Sequence, residues 1–188
     1  MKVFKFIKAE HGSSIFSNLH PIQGDVNLPD LGLSVGDRIM LVDKVNIVFH
    51  VAATVIFKQP LDDAVDTNTI GTSRIISFIY VSTAHSNANL SGFEEKVYTT
   101  SWEPSAVIDI CDKQDKNSIV LLEESILKTH ANTCTFAKNL AEQIVFSDSK
   151  SFPTAIVRPS VIGASLKQPC PSWVDNVYGV TGIPTKNY

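Results

Sequence analysis

Residues 45–53 form the segment that most restricts what this chain can fold into. They are rich in β-branched residues, and apolar side chains occupy both alternations of the segment. A strand with one face in water would alternate apolar and polar residues, so this pattern predicts a strand covered on both faces. Such strands are typical of a parallel sheet with helices on either side.

Further strand and helix patterns alternate along the chain. Residues 78–83 and 154–158 have the same strand character, and residues 19–26 are a shorter candidate. Apolar residues recur at helical spacing within residues 61–76 and 137–145, and a third helix is predicted over residues 118–129 with Ser118 as its N-cap. The alternation predicts an α/β fold with four strands and right-handed crossovers. No turn residues separate Ile76 from the strand at Phe78, so either the preceding helix is cut short or a piece of the crossover is missing there.

Composition and charge exclude several classes of function. The 16 basic and 19 acidic residues give a net charge of -3 and form no basic run that could follow phosphates, so nucleic acid is not an expected partner. Cys111, Cys134 and Cys170 lack metal-binding spacing and are expected to be free thiols. His130 and Cys134 lie four residues apart, but two ligands do not make a site, and no metal is predicted. With no signal peptide and no stretch long enough to span a bilayer, the chain is expected to be intracellular and without a transmembrane segment.

Several short motifs follow one another in order between about residues 19 and 182. They lie at residues 24–26, 31–34, 45–54, 68–72, 80–87, 132–142, 158–160 and 173–176. In order and spacing they resemble the reductase domain of fatty acyl-CoA reductases of the male-sterility type, a branch of the extended short-chain dehydrogenases/reductases. The resemblance implies a Rossmann-type doubly wound parallel sheet. It also implies an enzyme that uses NADPH to reduce long-chain fatty acyl-CoA to a fatty alcohol. It also implies association with endoplasmic reticulum or peroxisomal membranes, as in relatives.

The resemblance further implies which residues form the catalytic group. In the family, a tyrosine exchanges a proton with the substrate oxygen, a lysine four residues later lowers the pKa of that tyrosine, and a hydroxyl after the preceding strand polarises the carbonyl. Lys138 is the lysine, and Thr83 or Ser82 supplies the hydroxyl, with Thr83 preferred because it lies nearer the carboxyl end of its strand. Either hydroxyl could instead satisfy backbone groups at the strand end. Cys134 occupies the tyrosine position.

A thiol is a poor substitute for a phenol, because it is shorter and a weaker hydrogen-bond donor. Lys138 is expected to make Cys134 somewhat more acidic, so one alternative is a nucleophilic thiolate that attacks an acyl thioester. The other is a small residue tolerated where catalysis is no longer selected. His50, within the apolar strand, is expected to be a core or strand-end histidine rather than a catalytic base.

By the same resemblance, the cofactor contacts eight positions besides Lys138, and three of the eight follow the last strand. Asp25 and Val26 are expected at the adenine ring, although Asp25 alone would be interpreted as a turn residue. The others border the cofactor after their strands, namely Val51, Ala52, Ala53, Arg158, Pro159 and Ser160. Asn68 is expected to tie neighbouring strands together. The Gly-rich turn that holds a pyrophosphate does not occur among the early glycines, which predicts a sheet without its first βα unit and weakened NADPH binding.

These expectations leave two hypotheses for function. Residues 1–188 are interpreted as one partial NAD(P)-binding reductase domain, with the start of a truncated substrate-binding region at about residues 165–188. The first hypothesis is a fatty acyl-CoA reductase. The second is a non-catalytic, truncated relative or partial gene product that acts as a binding or interaction protein. Cys134 and the absent Gly-rich turn favour negligible reductase activity, while acyl chain length and oligomeric state are left open.

Overall fold

The computed structural model describes residues 2–75, 79–92, 94–113, 116–150, 153–167 and 169–174. The predicted junction at residues 76–78, the motif end at 175–176 and the C-terminal stretch lie outside these residues. Two compact units are present. One comprises residues 22–159, and the other comprises residues 1–21 together with residues 160–188.

The smaller unit contains a single α-helix within its described residues. Helix α1 (Lys2–His11) is followed by a short 3-10 helix (Ser13–Phe16). The rings of Phe4 and Phe16 meet edge to face, with their centroids 5.6 Å apart. In the C-terminal part of this unit, the amide of Ser165 donates to the carbonyl of Trp173 at 2.9 Å.

Within its described residues, the larger unit is built on a parallel sheet of three short strands. In chain order its elements are α2 (Val35–Lys44), β1 (Phe49–His50), α3 (Leu61–Val65), α4 (Gly71–Ser73), β2 (Ile79–Val81), α5 (Pro104–Asp112), α6 (Lys116–Ile126), α7 (Thr133–Asp148) and β3 (Ala155–Val157). The strand order is β1-β2-β3, with Tyr80 of β2 opposite His50 on one side and Ile156 on the other. The predicted α/β class with a parallel sheet is therefore confirmed, although the strands are shorter than predicted.

The prediction of a strand at residues 19–26 is wrong. The amide of Asp25 donates to the carbonyl of Leu31 at 2.7 Å, and the Asp25 carboxylate accepts from the Asn27 amide at 2.9 Å. These local bonds close a compact turn that continues into a short 3-10 helix (Pro29–Gly32). Aspartate side chains that bond to nearby backbone compete with strand formation, which explains the difference.

The prediction that residues 45–53 are covered on both faces is also wrong. His50 is buried with 3% of its surface exposed, whereas Phe49 is 65% exposed and Ile47 and Val51 are similarly open. Only one face of β1 therefore meets the core of the described chain. The burial of His50 agrees with its expected place as a core histidine at a strand end.

Helices α3 and α4 are joined into one continuous helix by a π-helical turn (Asp66–Ile70). The helix predicted over residues 61–76 is thus confirmed in type. The π turn buries Asn68 and Thr69, and the Thr69 hydroxyl donates to the carbonyl of Ala137 in α7 at 2.9 Å. The turn thereby fixes this helix against α7.

Helix α6 begins at Lys116, so the predicted N-cap at Ser118 is wrong. Its buried residues Ile119, Leu122 and Ile126 follow the predicted helical spacing, and this apolar face continues a helix that starts before Ser118. The face packs into the main apolar core, which also includes Leu61, Ala64, Val65, Val107, Cys111, Phe136, Ala137 and Leu140. The core lies between α3, α5, α6 and α7.

Helix α7 is the longest helix and carries most of the candidate site. Asn132 caps its first turn, because its side-chain oxygen accepts a hydrogen bond from the Thr135 amide at 2.9 Å. The helix confirms the prediction for residues 137–145. It is buried from Thr133 to Glu142, and it packs on the π turn and on α3.

Replacing Asn132 with alanine should lower the free energy of unfolding by about 1 kcal/mol, because the first turn of α7 loses its cap. Urea unfolding of both proteins at pH 7 measures the difference. The matched control is Asn89→Ala, whose side chain is exposed, and its effect should stay within about 0.5 kcal/mol. Equal losses in the two variants would contradict the capping role.

Candidate active site

Three side chains of α7 lie on one face of the helix and approach the carboxyl ends of the strands. Cys134, Lys138 and Glu142 are spaced four residues apart, so they stand above one another along the helix. All three are buried. Each one bonds to a segment that follows or ends a strand, and this makes α7 the element that organises the site.

Lys138 is 6% exposed, and its ammonium group donates to the carbonyl of Val81 at the end of β2, at 3.2 Å. The Nζ atom also lies 5.0 Å from the centroid of the Tyr80 ring, a distance that allows a cation–π interaction. Burial lowers the pKa of Lys138 to about 8, while Cys134 and Glu142 act in the opposite direction. The lysine is thus held at the strand end by a carbonyl and a ring.

His50 and Tyr80 form the floor beneath Lys138. The two rings stack with centroids 5.7 Å apart and planes at 28°, and His50 Nε2 lies 2.9 Å from the Thr72 hydroxyl. Burial, reinforced by the charge of Lys138, lowers the pKa of His50 to about 4. Burial raises the pKa of the fully enclosed Tyr80 phenol. Tyr80 therefore cannot take the place of a solvent-accessible tyrosine acid.

The Cys134 thiol is tied to the segment that follows β1. It donates to the carbonyl of Thr54 at 3.3 Å and lies 3.7 Å from the side-chain nitrogen of Asn68. The Asn68 amide also bonds to both backbone groups of Thr54, at 2.9 and 3.3 Å. Asn68 therefore has the predicted structural character, but it fastens a post-strand loop rather than two strands.

Lys138 acts on the Cys134 thiol in the expected direction, but the thiol is not more acidic than an ordinary one. Burial raises its pKa, and the opposing effects of Lys138 and the Asn68 hydrogen bond do not compensate. Its surroundings therefore favour the neutral thiol, which is a poor nucleophile.

The two candidate hydroxyls after β2 have different surroundings. Ser82 is buried and donates to Glu142 at 2.5 Å. Thr83 is half-buried, and its hydroxyl accepts a hydrogen bond from the His85 amide at 3.2 Å, which caps a short 3-10 helix (Ala84–Asn87). Thr83 therefore retains the more accessible oxygen of the two.

The residues after β3 contribute differently from one another. Arg158 donates from Nε and Nη2 to the Glu142 carboxylate, at 2.9 and 2.6 Å, and from Nη2 to the Lys96 carbonyl at 2.9 Å. The bond to Glu142 raises the pKa of the guanidinium. The Pro159 carbonyl accepts from the Ala84 amide at 2.9 Å, whereas Ser160 belongs to the smaller unit.

The remaining candidate cofactor residues fall into two groups. Val51 and Ala52 are exposed after the carboxyl end of β1, and Ala53 beside them is half-buried. Asp25 and Val26 lie in the turn near α4, where the Val26 carbonyl accepts from Arg74 at 2.7 Å and the Val26 side chain packs against Gly71. The cofactor roles of these residues stay predictions.

Sequence reasoning missed Glu142 and Tyr80 as residues of this site. The spacing of Glu142, four residues after Lys138, placed it on the same helix face, and that was the available signal. Tyr80 lies directly before Val81 in a predicted strand.

Among the described residues, no three His, Cys, Asp or Glu side chains come together in a way that could bind a metal ion. None of the helices in the described part of the chain is long and apolar enough to span a membrane.

A parallel α/β sheet with a buried lysine and strand-end hydroxyls at its carboxyl end is typical of a Rossmann-type nucleotide-binding domain. The chain belongs to the NAD-binding male sterility protein family, which it matches over residues 2–185. The family identity confirms the resemblance inferred from the motifs.

Similar proteins include several named as fatty acyl-CoA reductases. A Drosophila melanogaster protein whose name assigns it to this group is 39% identical over 191 residues, covering 96% of this chain and 37% of the relative. Mouse fatty acyl-CoA reductase 2 is 35% identical over 192 residues, covering 97% and 37%, and human fatty acyl-CoA reductase 1 is 36% identical over 172 residues, covering 86% and 33%. The chain thus spans little more than a third of the length of these relatives.

A solved structure gives the same fold. The terminal R domain from the myxalamid PKS-NRPS biosynthetic pathway superposes with a TM-score of 0.59 at 20% identity, covering 91% of this chain and 40% of that domain. At this identity, the similarity concerns the fold alone.

Proposed function

We propose that this chain is a fatty acyl-CoA reductase-like protein that binds NADPH and a long-chain acyl-CoA but turns them over negligibly. The observation that carries the proposal is the pairing of a retained Lys138 with a buried Cys134 thiol that is bonded to Thr54 and Asn68. The names of the relatives support the substrate class. The position of the site at the carboxyl ends of parallel strands supports a nucleotide cofactor.

The residues at this edge fit the nicotinamide end of such a cofactor. Val51 and Ala52 leave open surface after β1, and Lys138 with the half-buried Thr83 lies at the end of β2. The bound cofactor would supply a hydride to the thioester carbonyl. Thr83 would donate a hydrogen bond to that carbonyl, and Lys138 would hold the ribose and stabilise negative charge near the reacting oxygen.

The missing function is proton transfer to the substrate oxygen. A general acid must reach within hydrogen-bonding distance of that oxygen, and positioned proton transfer contributes about 100- to 10,000-fold to a rate. The Cys134 thiol is 6% exposed and already donates to a backbone carbonyl, and burial raises its pKa. Tyr80 is enclosed beneath Lys138, so it cannot supply this proton. These features support loss of the acid–base step.

Oxidation of NADPH in the presence of palmitoyl-CoA tests the proposal. The wild-type chain should give no turnover above background, whereas Cys134→Tyr should increase the rate at least about 100-fold by restoring a phenol four residues before Lys138. Cys134→Ser, which removes the thiol without adding a phenol, should remain at the wild-type level. Robust wild-type turnover would refute the proposed loss of activity.

The second candidate function of this chain is the binding of an apolar ligand without a cofactor. A cavity of about 670 Å³ lies at the amino end of β1, away from Lys138, and apolar side chains such as Leu41, Val45 and Phe49 line much of it. Fluorescence titration with NADPH distinguishes the candidates. Saturable NADPH binding supports the reductase-like protein, and binding of palmitate in the absence of any NADPH binding supports the second candidate.

A further inference from the structure

Glu142 is a fully buried carboxylate that the catalytic scheme above does not use. It lies one helical turn after Lys138 on α7 and has 0% of its surface exposed. The Arg158 guanidinium binds both of its oxygens, Nε to Oε1 at 2.9 Å and Nη2 to Oε2 at 2.6 Å. A buried carboxylate with this two-point partner keeps a fixed orientation.

The same carboxylate holds the segment that follows β2. Ser82 donates to Oε1 at 2.5 Å and Ser86 donates to Oε1 at 2.9 Å. Thr83 lies between these two serines in the chain, so its backbone is fastened on both sides to one oxygen atom. Glu142 thus connects α7, the end of β3 and the loop that carries Thr83.

We propose that Glu142 is a positioning residue, which fixes the Thr83 hydroxyl relative to the Lys138 ammonium group so that both address one substrate carbonyl. This role rests on the proposed reductase-like function. Ser82 then acts through Glu142 rather than on the substrate. Thr83 is left as the hydroxyl that contacts the carbonyl.

The chemistry of the bonds requires a carboxylate at this position. All of the hydrogen bonds described here are donated to Glu142, by Arg158, Ser82 and Ser86. A glutamine would turn an NH₂ group toward at least one of these donors, and the guanidinium of Arg158 has no acceptor to offer. Glu142→Gln preserves the shape of the side chain but must break part of this network.

The charge of Glu142 also acts on Lys138. The charged or titratable groups that act on this lysine are Cys134 and Glu142 on α7, His50 on β1 and Tyr80 on β2. Glu142 favours the protonated lysine against the effect of burial, which lowers the pKa to about 8. Removing its charge should therefore weaken proton binding by Lys138.

Titration of the ¹³C-lysine-labelled 188-residue chain by NMR tests the proposal without requiring turnover. Glu142→Gln should weaken proton binding by Lys138 about threefold to tenfold relative to wild type. Val107→Ala, in the apolar core away from Lys138, is the control for loss of stability and should leave the Lys138 midpoint unchanged. A Lys138 midpoint in Glu142→Gln equal to that of wild type, or shifted no more than in Val107→Ala, would overturn the proposal.

A second variant covers the case in which Glu142→Gln does not fold. Ser82→Ala leaves the Glu142–Arg158 pair intact and releases one side of the Thr83 segment. In a Cys134→Tyr background it should lower kcat about tenfold with little change in the KM for palmitoyl-CoA, because the misplaced hydroxyl acts mainly in the transition state. An unchanged kcat would overturn the positioning role. If the Cys134→Tyr background itself lacks turnover, the proposed function fails, and the Lys138 midpoint in Glu142→Gln decides the role of Glu142 by itself.

Discussion

Arg158→Met should lower the free energy of unfolding by about 3 to 5 kcal/mol, because it leaves the buried Glu142 carboxylate without its cation. The Arg158 side chain is 13% exposed and that of Glu142 is 0% exposed, so water cannot replace the lost partner. Urea unfolding at pH 7 gives the difference. The loss should be far greater than the effect of removing an ordinary surface charge.

Two further variants separate the buried charge from the bulk of the side chain. Arg38→Met removes the partner of Asp30 in an exposed ion pair and should cost less than about 1 kcal/mol. Arg158→Met combined with Glu142→Met should be clearly more stable than Arg158→Met alone, because no uncompensated charge remains. If the double variant were the less stable of the two, the attribution to a stranded carboxylate would be wrong.

Acidification from pH 7 to pH 4 should destabilise the wild-type chain by about 3 kcal/mol more than His50→Gln. The pKa of His50 falls from 6.5 in the unfolded chain to about 4 in the folded one. Below pH 6.5 the His50 ring binds a proton in the unfolded chain, whereas in the folded chain it binds this proton only near pH 4. Stability is therefore lost as the pH falls through this window, and the loss levels off below it.

The measurement is the free energy of unfolding at several pH values for each protein. His50→Gln removes the titrating ring, so the excess slope between pH 6.5 and pH 4 should disappear. His85→Gln is the matched control, because the His85 side chain is exposed and its removal should leave the slope in place. Parallel pH curves for wild type and His50→Gln would show that burial of His50 is not the cause.

The class of fold and the helix that carries Lys138 could be predicted from sequence because both depend on local sequence patterns. The segment around His50 is rich in β-branched residues, and the apolar face of α7 repeats at helical spacing. Local sequence patterns could not predict which faces of β1 are buried by other elements. The exposure of Phe49 depends on which elements lie over the sheet, and a strand's own residues do not encode that.

Several residues of the site could be predicted from sequence, but the hydrogen bonds between them could not. Ser82 and Glu142 are 60 positions apart, and Glu142 and Arg158 are 16 apart, so only the folded chain brings the serine, the carboxylate and the guanidinium together. Motif resemblance placed Arg158 beside a cofactor, while the structure pairs it with Glu142. Asp25 illustrates the reverse case, because its side chain forms the turn that its residue type favours.

The π turn at Asp66–Ile70 makes the length of this helix as important as its composition. Successive residues of an α-helix are rotated by about 100°, so deleting one residue here would let the helix become regular while turning Leu61 and Ala64 by that angle relative to Thr72. The apolar face toward α5 and α7 and the polar contact of Thr72 with His50 could then not both be kept. A single-residue deletion in this turn should therefore lower the free energy of unfolding more than most substitutions at the same positions.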